Sequence, residues 1–128
     1  TITTSDTASR LTSDGVGSAN ASNTINMPAQ SLFVVTGIIA AKDTDTSVAD
    51  AKAWEFTVTL KRGALASSAQ LLGAATVTQL AADAGASSWA VAITADTVNG
   101  GVSFSVTGAS GTTIRWLASV NSTEVVNG

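Results

Sequence analysis

Hydrophobic and polar residues alternate along several stretches of the chain with the two-residue period of a β-strand. The clearest stretch is residues 53–62, whose apolar positions are Trp54, Phe56, Val58 and Leu60 and whose intervening positions are charged or hydroxyl-bearing. Successive side chains of a strand point to opposite faces of the sheet. The pattern therefore predicts a strand with one buried face and one solvent-facing face.

The same alternation occurs twice more in the second half of the chain. Apolar residues occupy positions 89, 91, 93 and 95, and again positions 114, 116, 118 and 120 of a last strand expected to run to about Val125. Between them, Asn99-Gly100 tolerates the positive φ angles of a hairpin turn, and positions 102, 104 and 106 continue the alternation. These stretches predict a hairpin followed by a long final strand.

Two other regions are less regular. Residues 31–42 are β-branched and aromatic, which predicts a strand with a bulge or bend at Gly37. Residues 64–86 are rich in alanine, but Ser, Thr and Gly interrupt them and residues 76–78 are β-branched. We expect mostly strand there, with a short helix as the alternative.

Strands at spacings of about ten residues, separated by turn residues, are typical of a sandwich or barrel. The sequence therefore predicts an all-β fold, an antiparallel β-sandwich of jelly-roll-like kind. Residues 1–22 are rich in Thr, Ser, Asp, Gly and Asn. They are predicted to form an extended polar N-terminal arm or linker, with one short strand around residues 10–12, and residues 23–128 to form the sandwich domain.

Charged residues are sparse. They make up 12% of the chain, against about 25% in ordinary globular proteins. Low charge favours association, so we expect much of the surface to be covered by further copies of the chain or by neighbouring proteins. The alternative is a plain β domain of small residues that Ser and Thr keep in solution.

Composition also excludes several classes of partner. The six cationic residues do not form a stripe, and a net charge of −3 does not favour contact with phosphates, so nucleic-acid binding is not expected. No apolar run approaches the ~18 residues that span a bilayer, so membrane insertion is not expected either. The chain has no cysteine and therefore neither disulfides nor thiolate metal sites.

Several residue types that enzymes most often use for catalysis are absent from the chain. Histidine and tyrosine are absent, which excludes Ser-His-Asp catalysis and histidine zinc sites. The remaining option is the polar loop at residues 43–52, where Asp43, Asp45 and Asp50 could act as paired carboxylates or bind a hard cation. The loop lacks the glycine and closing glutamate of a calcium loop, and neighbouring aspartates are usually solvated charges. We expect no catalytic residue, no metal and no cofactor.

The same loop is the leading candidate for recognition, because it is the longest polar loop and loops carry binding residues on rigid scaffolds. Its predicted receptor or partner contacts are Asp43, Thr44, Asp45 and Asp50. Arg115 is a fifth candidate. It lies between two apolar inward positions and so faces away from the core, either as a surface charge or as a contact between subunits.

The three tryptophans have two interpretations. Trp54, Trp89 and Trp116 are in phase with the apolar face of their strands, which predicts that they pack in the core. A sugar-stacking platform formed by one of them is the alternative.

Several segments of the chain resemble a known family. The most specific are WAVAITADTVNGG at residues 89–101 and TIRWLASV at residues 113–120, preceded by LTSDG, SLFVVTGIIAAKDT and AKAWEFTVTLKRGA in that order. From about Leu11 onward, this series resembles the C-terminal module of tailed-bacteriophage tail-fibre and related virion appendage proteins. It covers about four-fifths of the chain.

The resemblance implies a virion structural protein, assembled in the bacterial host cytoplasm. It implies a homotrimer at a fibre tip or another exposed site, with host-surface glycan or protein and other virion proteins as partners. The family offers no catalytic motif.

The modules of this family usually end a longer fibre, whereas this chain has 128 residues. Two alternatives follow for the chain itself. It is either a fragment or separately made fibre tip, or a small standalone protein whose Thr1 follows a removed initiator Met. A capsid decoration (cement) or adaptor protein that clamps neighbouring shell subunits through the arm is the alternative function.

Overall fold

The computed structural model describes residues 1–15, 18–20, 22–45, 47 and 49–126. Within them the chain forms strands and two short 3-10 turns, Ala66–Ser68 and Ala84–Ala86. The strands are β1 (Ile2–Thr3), β2 (Ser9–Arg10), β3 (Ile25–Asn26), β4 (Ser31–Asp43), β5 (Ala51–Arg62), β6 (Gln70–Leu71), β7 (Thr76–Ala82), β8 (Ala90–Asp96), β9 (Gly101–Thr107) and β10 (Ile114–Val126).

These strands form two antiparallel sheets packed face to face. The large sheet has the order β1-β10-β4-β5, and β5 then pairs with both β6 and β7. In the small sheet, β8 pairs with β9 along its whole length, and β2 and β3 share the other edge of β9. The predicted all-β antiparallel sandwich is confirmed.

The core lies between the inner faces of the two sheets. Along β5, Trp54, Phe56, Val58 and Leu60 are buried while the intervening side chains face outward, as their alternation predicted. Hydrophobic burial of this kind is the main term that stabilises a globular fold.

The three tryptophans pack together at the centre of this core. The rings of Trp54 and Trp116 are stacked with centroids 5.7 Å apart, and Trp89 lies 6.2 Å from Trp116. All three are buried, so none presents a ring face to a sugar. The core-packing interpretation is confirmed.

Gly37 lies in the middle of β4 but is not a bulge. The register of β4 with both β5 and β10 runs through it without a shift, so the predicted bulge is wrong. The glycine is needed for close approach instead. A Cβ at this position would lie 1.9 Å from the carbonyl oxygen of Ser119 and 2.9 Å from the ring of Phe56. The register shift lies between Ala53 and Trp54, where β5 pairs with β7.

The alanine-rich residues 64–86 contain β6, β7 and the two 3-10 turns, and no α-helix occurs among residues 64–86. Strands make up 9 of these 23 residues, so the expectation of mostly strand is met only in part, and the helical alternative is present only as the two 3-10 turns. These small and polar residues can form a strand because β7 lies at an edge of the sheet, where every side chain except the half-buried Val77 is exposed. In the described part of the chain, no helix is long and apolar enough to cross a membrane.

Parts of the predicted N-terminal arm contact both sheets. β1 pairs with β10, β2 pairs with β9, and the buried hydroxyl of Thr3 accepts a hydrogen bond from Nε1 of Trp116 at 2.9 Å. The predicted short strand near residue 10 corresponds to β2. The division of the chain at residue 22 into an arm and a domain stays a prediction.

Candidate functional site

The predicted contact loop begins with a carboxylate that faces inward. Asp43 ends β4 and is 5% exposed, and its Oδ1 accepts a hydrogen bond from the N–H of Asp45 at 2.7 Å. The N–H of Asp43 donates to the carbonyl oxygen of Asp50 at 2.8 Å, which closes the loop. Asp43 therefore shapes the loop from within.

Two of the predicted contacts within the loop are exposed. Thr44 donates through both its N–H and its hydroxyl to the carbonyl oxygen of Thr113, at 2.9 and 3.2 Å. Asp45 accepts bonds from the N–H and the hydroxyl of Ser47, and these bonds lower the pKa of its carboxyl group. The loop is thus held by its own side chains and presents Thr44 and Asp45 to solvent.

Asp50 is half-buried and packs closely against another turn. Its Oδ2 would lie 2.0 Å from a Cβ built on Gly85, so the absence of a side chain at Gly85 makes room for the carboxylate. Among the residues that the structure describes, no group of three or more acidic side chains is arranged to hold a metal ion.

Arg115 faces away from the core, as expected. The register of the large sheet places Arg115 between Ile2 of β1 and Lys42 of β4. Lys42 directly precedes Asp43, the first residue of the predicted contact loop. Arg115 and the loop therefore lie at the same end of the large sheet. Beside them is a depression of about 530 Å³ with an alanine-rich floor that includes Ala40 and Ala53.

The outer face of the large sheet, meaning its side away from the small sheet, is broad and poor in charge. The charged residues of its long strands are Lys42, Glu55, Lys61 and Arg115. Its exposed large apolar side chains include Ile2, Ile38, Leu117 and Val125, with exposed fractions of 52%, 49%, 73% and 59%.

Our interpretation of the sequence missed this surface. Its signal is the presence of apolar residues at both parities of one strand, since Leu32, Val34 and Ile38 occupy the outward positions of β4. A strand with one wet face has polar residues at those positions. The pattern in β4 therefore indicated a second buried or contacted face.

Within the described part of the chain, one edge of β10 has no partner over most of its length. The N–H of Trp116 donates to the carbonyl oxygen of Thr1 at 2.9 Å, so the backbone groups of Trp116 point toward β1. Backbone groups of alternate strand residues point to the same side. The residues that face this edge beyond β1 are therefore Ala118, Val120, Ser122, Glu124 and Val126. No backbone hydrogen bond joins them there to another residue that the structure describes.

A cleft of about 380 Å³ lies under the first part of this open edge. It separates the large sheet from residues 11–15 and 23–25, and its apolar lining is Leu11, Ile25, Val102, Phe104, Trp116, Leu117, Ala118 and Val120. The rim carries hydroxyl groups, including that of Thr24. The sandwich is therefore open on the side of β10.

The polar cluster around Asp96 has a structural role. Asp96 is 5% exposed, and its Oδ2 lies 2.7 Å from Nη2 of Arg10. Its Oδ1 accepts the N–H groups of Val98 and Asn99, each at 3.0 Å. Burial raises the pKa of Asp96, but the hydrogen bonds from Asn99, Arg10 and Val98 outweigh it and lower this pKa to about 2. The cluster closes the β8–β9 turn.

This cluster explains much of the WAVAITADTVNGG segment. Asp96 and Asn99 build the turn, Gly100 has a positive φ of 77°, and a Cβ on Gly101 would lie 1.8 Å from the carbonyl oxygen of Ile25. The most specific part of the resemblance thus consists of residues with structural roles.

No family model, no curated protein and no solved structure matches the chain. The resemblance to tail-fibre modules therefore stays a prediction that rests on the sequence segments themselves.

Proposed function

We propose that this chain is a non-catalytic structural module of a bacteriophage particle that works by binding through the surfaces of its sandwich. The observation that carries this proposal is the outer face of the large sheet. A sheet face that exposes several large apolar side chains and carries few charges is typical of a protein–protein contact.

In its most specific form the proposal is a homotrimeric tip of a tail fibre or related appendage. The distribution of charge on the outer face supports contact between copies. Glu55 lies opposite Ile38 in mid-sheet, Lys61 lies toward one end, and Lys42 and Arg115 lie beside each other at the other end. A three-fold contact joins two different patches, so the cationic end of one copy can meet Glu55 of the next.

The loop end of the sheet is the proposed host contact. Thr44 and Asp45 are exposed there, apart from the Lys42 and Arg115 pair that we assign to the contact between copies. A host-surface glycan or protein would be bound by these hydrogen-bonding and charged groups, without any chemical step.

The alternative, a decoration or adaptor protein, is supported by a different feature. The open edge of β10 has unpaired backbone groups that an extended segment of a shell protein can join, which is a common mode of strand addition. In that case the particle supplies the missing strand.

Sedimentation velocity on the purified chain tests the trimer. We expect the wild-type chain to sediment as an assembly of at least three chains and Ile38→Lys to sediment with fewer chains, because the new ammonium group would be buried in the contact. In the free chain this lysine would lie opposite Glu55, so folding is preserved.

Leu65→Lys is the matched control, since Leu65 is 69% exposed in the turn after β5 and off the outer face. It should retain the wild-type mass. A wild-type chain that remains monomeric, or equal masses for Ile38→Lys and the wild type, would contradict assembly through the outer face.

A further inference from the structure

We infer that the open edge of β10 binds the same edge of a second copy, so that the two large sheets join through antiparallel β10 strands into one continuous sheet. This contact is independent of the outer face and goes beyond the proposed function. It is a two-fold contact, in which each copy contributes the same surface.

The edge lacks the features that usually prevent such pairing. Proteins protect exposed edges with lysine, proline, bulges or very short strands. Residues 117–126 contain neither lysine nor proline, their pairing with β4 has no register shift, and β10 is 13 residues long. The edge is therefore both long and accessible to another strand.

The backbone pattern selects one register. The residues with free groups run from Ala118 to Val126, and Ser122 is at their centre. A two-fold axis through Ser122 pairs Ala118 with Val126 of the second copy and Val120 with its Glu124. All five edge-facing residues are then used on both copies, which gives about ten backbone hydrogen bonds.

Charge is compatible with this register. Glu124 is the only charged residue in residues 117–126, and the pairing places it opposite an apolar Val120. The two Glu124 carboxylates are then four residues apart along the strand, or about 13 Å. This exceeds the Debye length of about 8 Å at physiological ionic strength, so their repulsion is largely screened.

The shapes of the two halves of β10 are complementary. Near Ala118 and Val120 the strand lies over the cleft, whereas near its end the small sheet does not cover it and Val126 is 48% exposed. Antiparallel pairing brings the uncovered end of each strand to the cleft of the other copy. Val126 then lies beside Ala118, at a cleft lined by Phe104 and Trp116.

A single cysteine tests this register directly, because the chain has no cysteine of its own. In Ser122→Cys the two thiols lie across the axis, in a backbone pair with a Cα–Cα distance of about 5.5 Å that suits a disulfide. We expect mild oxidation to give a covalent dimer on a non-reducing denaturing gel.

Glu124→Cys is the matched control. It is exposed on the same face of the same strand, but its two Cα atoms would be about 13 Å apart, which is too far for a disulfide. We expect at least about tenfold less cross-linking, because only Ser122→Cys has the high effective concentration of a preformed pair. Equal cross-linking of both variants would overturn the inference.

Ser122→Lys provides a second measurement that does not depend on oxidation. Ser122 is exposed, so the fold should tolerate the change, while two ammonium groups would meet at the axis. We expect a loss of the two-fold contact, seen as a lower mass in sedimentation, whereas Ser122→Thr retains it. A wild-type mass for Ser122→Lys would contradict the pairing.

The outcomes for the two contacts can be separated. The Ser122→Cys cross-link is detected as a covalent pair on a denaturing gel. Because denaturation separates non-covalent contacts, this result does not depend on how many chains assemble through the outer face. It should also persist in Ile38→Lys, since Ile38 lies on β4 and not on the edge. A cross-link that disappears with Ile38→Lys would overturn an independent edge contact.

Discussion

The carboxylate of Asp96 and the guanidinium of Arg10 approach to 2.7 Å, and this ion pair joins β2 to the turn between β8 and β9. Arg10 also donates to the carbonyl oxygen of Val102 at 3.2 Å. A segment near the N-terminus is thereby attached to a hairpin that begins some eighty residues later in the chain. The stability of this attachment should therefore depend on the ionisation of the buried Asp96 carboxylate.

The first prediction concerns acid. The pKa of Asp96 is about 2 in the folded protein, below the ordinary value of 3.8. Because the folded pKa is lowered, the stabilisation is complete above about pH 4 and is lost as the pH falls toward 2, for a total of about 2 kcal/mol. Urea unfolding between pH 6 and pH 2 should show this loss in the wild type and a smaller loss in Asp96→Asn.

Asp6→Asn is the control for this experiment, because Asp6 is exposed between β1 and β2. Its pH profile should follow that of the wild type. An Asp96→Asn profile as steep as that of the wild type would contradict the assignment.

The second prediction concerns Gly37. Alanine at this position would force its methyl group against the carbonyl oxygen of Ser119 and the ring of Phe56. We expect Gly37→Ala to lower the free energy of unfolding by about 3 kcal/mol, the upper range for overpacking a core. Gly63→Ala, where the nearest atom is the Ser68 hydroxyl oxygen at 3.2 Å, should cost less than about 1 kcal/mol. Equal losses in urea unfolding would contradict the close-approach argument.

The third prediction concerns the hydrogen bond from Trp116 to Thr3. Thr3→Val retains the shape of the side chain but removes the acceptor, which leaves the buried indole N–H of Trp116 without a partner. The expected loss of stability is about 1–2 kcal/mol. Thermal unfolding checks it, with Thr4→Val as the control, because Thr4 is exposed. A loss as large for Thr4→Val would assign the effect to strand propensity instead.

The fourth prediction concerns the loop. If the loop end of the large sheet contacts the host, the double variant Thr44→Ala, Asp45→Ala should bind host cells more weakly while its thermal stability changes little. Surface substitutions of this kind usually change stability by less than about 0.5 kcal/mol. Binding can be measured with labelled protein on host cells. Unchanged binding, with a folded variant, would move the proposed contact to another surface.

The alternation of residue types predicted which side chains of β5, β8 and β10 face the core, and it placed all three tryptophans there. It could do so because strand periodicity depends only on neighbouring residues. Arg115 was assigned to the outside by the same reasoning. The local pattern was therefore sufficient for the faces of individual strands.

Partners distant in the sequence could not be predicted in this way. The pairing of β1 with β10, the ion pair between Arg10 and Asp96 and the contact between Gly37 and Ser119 each join residues far apart in the chain. A period of two fixes the face of a strand but not its neighbour. For the same reason the exposure of Leu117 and the open edge of β10 became visible only when the sheet order was known.

The backbone pairing between Thr1 and Trp116 has a consequence for how the protein is handled. β1 runs antiparallel to β10, so residues fused ahead of Thr1 would continue past Leu117 and along the open edge. A purification tag placed there would act as a competing strand within the same molecule. In the tagged protein the edge of β10 would be covered, and after cleavage of the tag it would be free to pair. Comparing the two forms would therefore show what depends on access to this edge.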